Sequence, residues 1–190
     1  MKILFCGGGA LGSHALFLAR DLGQEMAVVD FDRVETKNLA SQWFVKQMVG
    51  KPKAAALKLQ LLNFYGVKLQ DYPLRLTALN AGVLLGSADL VVECFDNAAS
   101  RRVVQEYIRS QGKVCVHAGL AASGEYGVVR WDRHFTIDEE GTAAQATCDG
   151  GGFLPLILRV SSSLVASIQF HLADGREVNW NISPRNAESF

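Results

Sequence analysis

Cysteine is scarce in this chain of 190 residues: there are four, at positions 6, 94, 115 and 148, and no two form a C-x-x-C pair. That pattern excludes a disulfide framework and a structural zinc site, so no zinc is expected. Net charge is missing too, because 19 Lys and Arg balance 19 Asp and Glu. Without a field of one sign over the molecule, neither nucleic acid nor an anionic membrane is an expected partner. No apolar run reaches transmembrane length, and the first residues read as a strand rather than a signal peptide, so the expected location is cytoplasmic. There is no repeat, linker or low-complexity tract. With 49% hydrophobic and 20% charged residues, the chain is expected to form one globular domain over 1–190.

Glycine is present where its lack of a side chain matters. Gly7-Gly8-Gly9-Ala10-Leu11-Gly12 is a G-x-G-x-x-G loop. It follows an apolar strand at 1–6 and opens a helix expected over 10–22. Glycines at such a turn let the backbone approach a phosphate, which the N–H groups and dipole of the helix N-terminus then stabilise. A second apolar run, 26–30, ends in Asp30, about 20 residues on, where an acid can hydrogen-bond a ribose hydroxyl. Together these features point to a nucleotide site and leave the nucleotide open.

Strand and helix signals alternate onward: a helix at 52–64, a strand at 67–72, a helix at 79–85, and strands at 89–94 and 113–117 on either side of a helix at 98–110. This order predicts an α/β fold, a Rossmann-like doubly wound sheet, with ligands beyond the carboxyl ends of its parallel strands. After His117 the pattern changes. Residues 124–131 alternate like an antiparallel strand, 132–152 read as a polar loop, 154–172 as a long apolar helix and 177–182 as a final strand. The sheet is therefore expected to be mostly parallel in its N-terminal part, with antiparallel C-terminal strands.

Polar clusters fall at strand ends and helix starts: Asp30 and Asp32, Asn38 with Leu39 and Gln42, Gly50 with Lys53 and Ala54, and Asp96-Asn97 with Arg101. Each has a plain structural reading beside the functional one. Asp32 and Asn38 can stabilise turns, Lys53 can be a solvated helix lysine, and Asp96-Asn97 can cap a helix. Arg102 reads as a surface residue. His14 and His117 show no partner pattern and read as structural.

The order of these motifs resembles the ThiF/MoeB/HesA-type adenylyltransferases of the ubiquitin-activating-enzyme-like superfamily. The family pattern runs G-x-G-x-x-G, D-x-D, N-L-x-R-Q, G-x-x-K-A and (C/T)-x-D-N with an arginine four residues on. The likeness covers nearly the whole chain. It implies ATP-dependent adenylation of the C-terminal carboxylate of a small ubiquitin-like sulfur-carrier protein or peptide. It further implies that Gly7, Gly9 and Gly12 let the loop approach the nucleotide, that Asp30 holds the ribose, and that Asn38 and Lys53 contact phosphates. Asp32, Gln42 and Asn97 join the ATP site, Asp96 binds Mg²⁺, and Lys53 and Asp96 serve catalysis. Cys148 matches a family cysteine that in some members links covalently to the activated carrier. A homodimer is implied as well, with the region from Val128 onward as a possible surface.

The chain departs from the pattern at Ser41, which stands where N-L-x-R-Q has arginine. A serine offers one hydroxyl in place of a planar cationic fork. The C-x-x-C pairs of many relatives are absent and the segment after Ile182 is short and polar, so a reduced form of the domain is expected. Two alternatives stay open: a non-catalytic nucleotide- or carrier-binding relative, and an NAD-dependent oxidoreductase.

Overall fold

The computed structural model describes residues 1–121, 123–137 and 153–190. Among these residues, eight strands form one sheet: β1 (Lys2–Cys6), β2 (Glu25–Val29), β3 (Leu69–Tyr72), β4 (Leu90–Glu93), β5 (Val114–Leu120), β6 (Gly127–Trp131), β7 (Trp180–Ile182) and β8 (Ala187–Ser189). Their order is β3-β2-β1-β4-β5-β6-β7-β8. The first five pair in parallel, and β6, β7 and β8 add on antiparallel. Five α-helices are described: α1 (Ala10–Ala19), α2 (Lys53–Tyr65), α3 (Ala78–Gly86), α4 (Ala98–Gln111) and α5 (Leu154–Asp174).

Residues Ile3, Leu4, Phe5 and Cys6 have no exposed surface, the condition of a parallel strand covered on both faces. Alternation along β1 divides the core in two. Ile3 and Phe5 join Leu11, Leu57 and Leu164 under α1, α2 and α5. Leu4 and Cys6 join Leu84, Leu85, Val104 and Ile108 under α3 and α4. The chain runs outward from β1 through β2 to β3, then returns to place β4 on the other side of β1. This reversal opens a crevice beyond the carboxyl ends of β1 and β4.

Several boundaries differ from those expected. Helix α1 stops at Ala19 because Leu22 turns back to the Ala19 carbonyl and Gly23 takes a φ of +68°. The strand expected at 177–182 contracts to β7. Before it, the Val178 carbonyl accepts from the Trp131 indole at 3.2 Å and the Ser167 hydroxyl at 2.8 Å, and Asn179 Oδ1 accepts from Trp131 N–H at 3.0 Å. Asn179 also exchanges both backbone hydrogen bonds with Phe190, each at 3.0 Å. The exposed strand β8 has no apolar alternation to reveal it. The first residues of the expected loop, Asp132–His134, form a 3₁₀ turn.

Helix α5 corrects the expectation that no apolar run reaches transmembrane length. By length and composition alone its 21 residues could cross a membrane. Here it is a core helix: Leu156, Ile157, Val160, Leu164 and Ile168 are buried, and the Ser161 hydroxyl donates to the Leu11 carbonyl of α1 at 3.2 Å.

The β1–α1 turn yields a first prediction. A Cβ on Gly12 would lie 1.9 Å from the Gly7 carbonyl oxygen, whereas one on Gly9 would meet nothing within 4 Å. Gly12→Ala is expected to cost about 1–3 kcal/mol of stability through overpacking, while Gly9→Ala stays within about 1 kcal/mol of the parent. Thermal or denaturant unfolding of the two variants distinguishes these effects.

Candidate functional site

The glycine loop is shaped first by its own chain. Gly7 donates to the Val29 carbonyl of β2 at 2.9 Å. It adopts a φ of +102°, with its Cα so close to β4 that a Cβ would lie 3.0 Å from the Cys94 carbonyl oxygen. Gly7 and Gly12 thus allow strand, helix and neighbouring strand to close on one another. Gly9 faces open space at the α1 N-terminus. It is the N-cap residue and provides no side-chain hydrogen bond to the first turn, which leaves N–H groups suited to an anion. Gly8, which sequence reasoning left without a role, donates its N–H to Asp30 Oδ2 at 2.7 Å.

Asp30 is only 7% exposed at the end of β2. Its second oxygen, Oδ1, accepts from Asp32 N–H at 2.8 Å. Burial pushes its carboxyl pKa up and outweighs the opposing effects of the Lys53 charge and the two N–H donors. Each oxygen retains acceptor capacity for a further hydroxyl. Lys53 reaches this corner because residues 33–34 and 50–52 are laced together: Val34 N–H donates to the Lys51 carbonyl at 2.9 Å, and Gly50 N–H to the Val34 carbonyl at 2.8 Å. Lys53 N–H then donates to the Asp32 carbonyl at 2.8 Å. Its ammonium lies 3.1 Å from Asp32 Oδ2, with the lysine side chain 9% exposed and that of Asp32 49% exposed. Lys53 is not a solvated helix lysine. It is a buried cation paired with a carboxylate that faces the solvent.

The segment holding Asn38, Ser41 and Gln42 is tied to two helices. Trp43 N–H donates to the Ser13 hydroxyl of α1 at 2.9 Å, and Gln60 of α2 donates to the Trp43 carbonyl at 3.0 Å. Asn38 is buried, and its Oδ1 accepts from Glu35 N–H at 2.8 Å. The carboxamide oxygen therefore stabilises the turn. Gln42 Oε1 is buried without a hydrogen-bond partner, a position that a ligand donor would satisfy. Ser41 is completely buried. Three cations of this part of the sequence are engaged: Arg33 donates to the Gly50 carbonyl at 2.7 Å, Lys37 pairs with Glu35 at 3.5 Å, and Arg20, at the C-terminal end of α1, stacks on Phe17 and Tyr65.

Across the crevice, Asp96 is exposed just beyond β4. Asn97 caps α4, accepting from Ser100 N–H at 2.8 Å, and its amide donates to Asp96 Oδ1 at 3.3 Å. The helix-cap reading of Asn97 therefore holds, and the same side chain also touches Asp96. Among the described residues no group of three or more His, Cys, Asp or Glu could hold a metal ion. A divalent cation would therefore depend on a carboxylate such as Asp96 together with oxygens from a bound ligand. That is how Mg²⁺ is usually held beside nucleotides.

Behind Asp96 lies a network with no counterpart in the sequence expectations. Glu93 has no exposed surface, nor has His117, its neighbour in register on β5. Glu93 Oε2 is 3.1 Å from His117 Nδ1, and His117 Nε2 is 3.1 Å from Asp132 Oδ1. Asp132 also accepts from Arg109 Nε at 2.8 Å. His117, read from sequence as lacking a partner pattern, is held between two carboxylates and stacks on Phe135 at 4.1 Å. The available signal was Glu93 itself, a charged residue inside a buried apolar strand, which needs a partner. The other histidine, His14, fits the structural reading: its Nδ1 meets the Ala10 carbonyl at 2.8 Å within α1.

Cys6, Cys94 and Cys115 are buried, and burial pushes each thiol pKa up. None is poised as a nucleophile. Cys148 lies outside the described residues.

The buried network predicts a pH dependence. Burial pushes the His117 pKa down, but bonds to Asp132 and Glu93 outweigh it and the net shift is upward. Burial pushes Asp132 up, but His117, Arg109 and Gln105 outweigh it and bring it to about 2. A raised histidine contributes stability in full below its ordinary value of about 6.5 and loses it as pH rises through the folded value. A depressed aspartate contributes above its ordinary value of about 3.9 and loses it as pH falls through about 2. The unfolding midpoint is expected to fall as pH rises above about 6.5, with a shallower slope in His117→Asn. Unfolding curves of both proteins from pH 6 to 9 test this, and equal slopes contradict it.

With this geometry in view, the relatives are informative. A model of the "ThiF family" matches residues 1–187. The chain is 31% identical over 195 residues to the adenylyltransferase and sulfurtransferase UBA4 of Lodderomyces elongisporus, covering 96% of this chain and 42% of that protein. It is 37% identical over 124 residues to the sulfur carrier protein adenylyltransferase of Thermus thermophilus, covering 63% of this chain and 45% of the relative. The chain thus spans less than half the length of these curated relatives. Among solved structures, E. coli MccB with ATP superposes with a TM-score of 0.78 at 17% identity, over 100% of this chain and 62% of that one. That likeness supports the fold. The family match runs over nearly the whole length: the chain belongs to the ThiF family.

Proposed function

We propose that the crevice binds ATP with Mg²⁺ and that the chain adenylates the C-terminal carboxylate of a sulfur-carrier protein or peptide. The observation that supports this most is the grouping at one switch point of an open helix N-terminus at Gly9, the buried acid Asp30, the buried cation Lys53 and the exposed Asp96. The names of the relatives point the same way: one acts as a sulfur carrier protein adenylyltransferase, and MccB has been solved with ATP and with MccA. Nicotinamide dinucleotide chemistry would account for the glycine loop and Asp30 but for neither Lys53 nor Asp96.

In this proposal, Asp30 accepts hydrogen bonds from the ribose hydroxyls while its ring of backbone donors holds the carboxylate still. The α1 N-terminus and Lys53 meet the phosphates. Lys53 is a mobile point charge, and its pairing with solvent-facing Asp32 gives it a resting place from which to reach the ligand. The carrier's carboxylate oxygen attacks the α-phosphorus, forming the acyl-adenylate as the bond to the bridging oxygen of the β-phosphate breaks and pyrophosphate departs. Little covalent chemistry falls to the protein, so positioning and charge neutralisation are its main contribution. Asp96 would hold Mg²⁺, which would offset the negative charge of the departing pyrophosphate.

Carrier-dependent exchange of labelled pyrophosphate into ATP is the test. Exchange is expected with the parent chain, and Lys53→Ala or Asp96→Ala should lower it by about 10²–10³-fold while the protein remains folded. ATP binding without exchange would support the non-catalytic alternative, which buried Ser41 favours; no ATP binding would refute the site. The proposal includes a cytoplasmic homodimer, and sedimentation showing only monomer at micromolar concentration contradicts that assembly.

A further inference from the structure

We infer that Glu93 and Arg101 are positioning residues for Asp96, because they clamp both polar groups of the Phe95 backbone immediately before it. The inference rests on the proposed ATP site and adds to it residues that do not themselves reach the ligand.

The geometry is specific. Phe95 N–H donates to Glu93 Oε1 at 2.6 Å, and the Phe95 carbonyl accepts from Arg101 Nε at 2.8 Å. That carbonyl belongs to the peptide bond leading into Asp96, so Arg101 fixes the plane from which the Asp96 side chain departs. The clamp is held from behind. Arg101 Nη2 donates to the Ala118 carbonyl of β5 at 3.1 Å, and Arg101 Nε lies 3.7 Å from Glu93 Oε1. His117 braces the other Glu93 oxygen at 3.1 Å and is itself braced by Asp132. The Phe95 ring completes the anchorage in the core under α3 and α4. Asp96 is thus an exposed residue on a rigid mount.

Burying Glu93 without any exposed surface is costly, and an apolar residue would fill a core strand more cheaply. The location of that cost is informative, since Glu93 Oε1 bonds to the loop carrying Asp96 as well as lying near Arg101. A hydrogen-bonded support of this kind around a metal ligand typically changes metal affinity or activity by 10–100-fold when removed.

Calorimetric titration of ATP into the parent chain, with and without Mg²⁺, provides the test. Mg²⁺ is expected to tighten ATP binding in the parent, and Asp96→Ala should abolish that increment. Glu93→Ala and Arg101→Met should each reduce the increment by about tenfold or more while leaving Mg²⁺-free binding nearly unchanged. Glu93→Gln keeps an acceptor for Phe95 N–H and should restore the increment, which a purely charge-dependent role would not do. If Glu93→Ala fails to fold, Arg101→Met decides, since its apolar stem remains. Combining Arg101→Met with Asp96→Ala should cost no more than Asp96→Ala alone. Retention of the full Mg²⁺ increment in Arg101→Met overturns the inference while the ATP site stands. Absence of ATP binding in the parent overturns the site itself.

Discussion

The approach of the first turn of α1 to the carbonyl of Gly7 is the constraint on which the site depends. Only glycine at position 12 permits it, since a Cβ there would lie 1.9 Å from that oxygen. Because the helix begins directly above the end of β1, its N–H groups face the crevice where the sheet reverses. The same turn brings Gly8 within reach of Asp30 and packs Gly7 against the Cys94 carbonyl. One backbone contact therefore registers the carboxyl ends of β1, β2 and β4.

Charge burial is concentrated around this end of the sheet. Asp30, Lys53, Glu93 and His117 are all buried, and each has a named polar partner. Buried ionisable groups are weak sources of net stability, because desolvation offsets much of their attraction. Their value here lies in geometry. Asp30 is held by two backbone donors, Lys53 by one carboxylate, and the approach to Asp96 by an arginine and a glutamate. The two sides differ usefully: Lys53 is tethered through a flexible stem, whereas Asp96 sits on a fixed peptide.

Much of this was legible in the sequence because it depends on local pattern. Apolar runs marked the parallel strands, the glycine spacing marked the β1–α1 turn, and Asp30 lay at the expected strand end. The arrangement of Lys53 and Asp32 was not legible, since it arises from the pairing of residues 33–34 with 50–52 across a segment without regular periodicity. Neither was the role of His117, whose partners Glu93 and Asp132 lie 24 and 15 residues away and meet it only through strand register and a 3₁₀ turn. Strand β8 escaped notice because an exposed edge strand needs no apolar face. Gly7 and Gly12 matched the expected motif, yet the structure assigns them to close packing and leaves Gly9 facing the open crevice.

The most direct test of the account is a crystal structure of the chain with a non-hydrolysable ATP analogue and Mg²⁺. The account predicts the ribose hydroxyls on Asp30, the phosphates at the α1 N-terminus within reach of Lys53, and the cation on Asp96. A nucleotide bound elsewhere, or one in this crevice whose phosphates turn away from both Lys53 and Asp96, would contradict it.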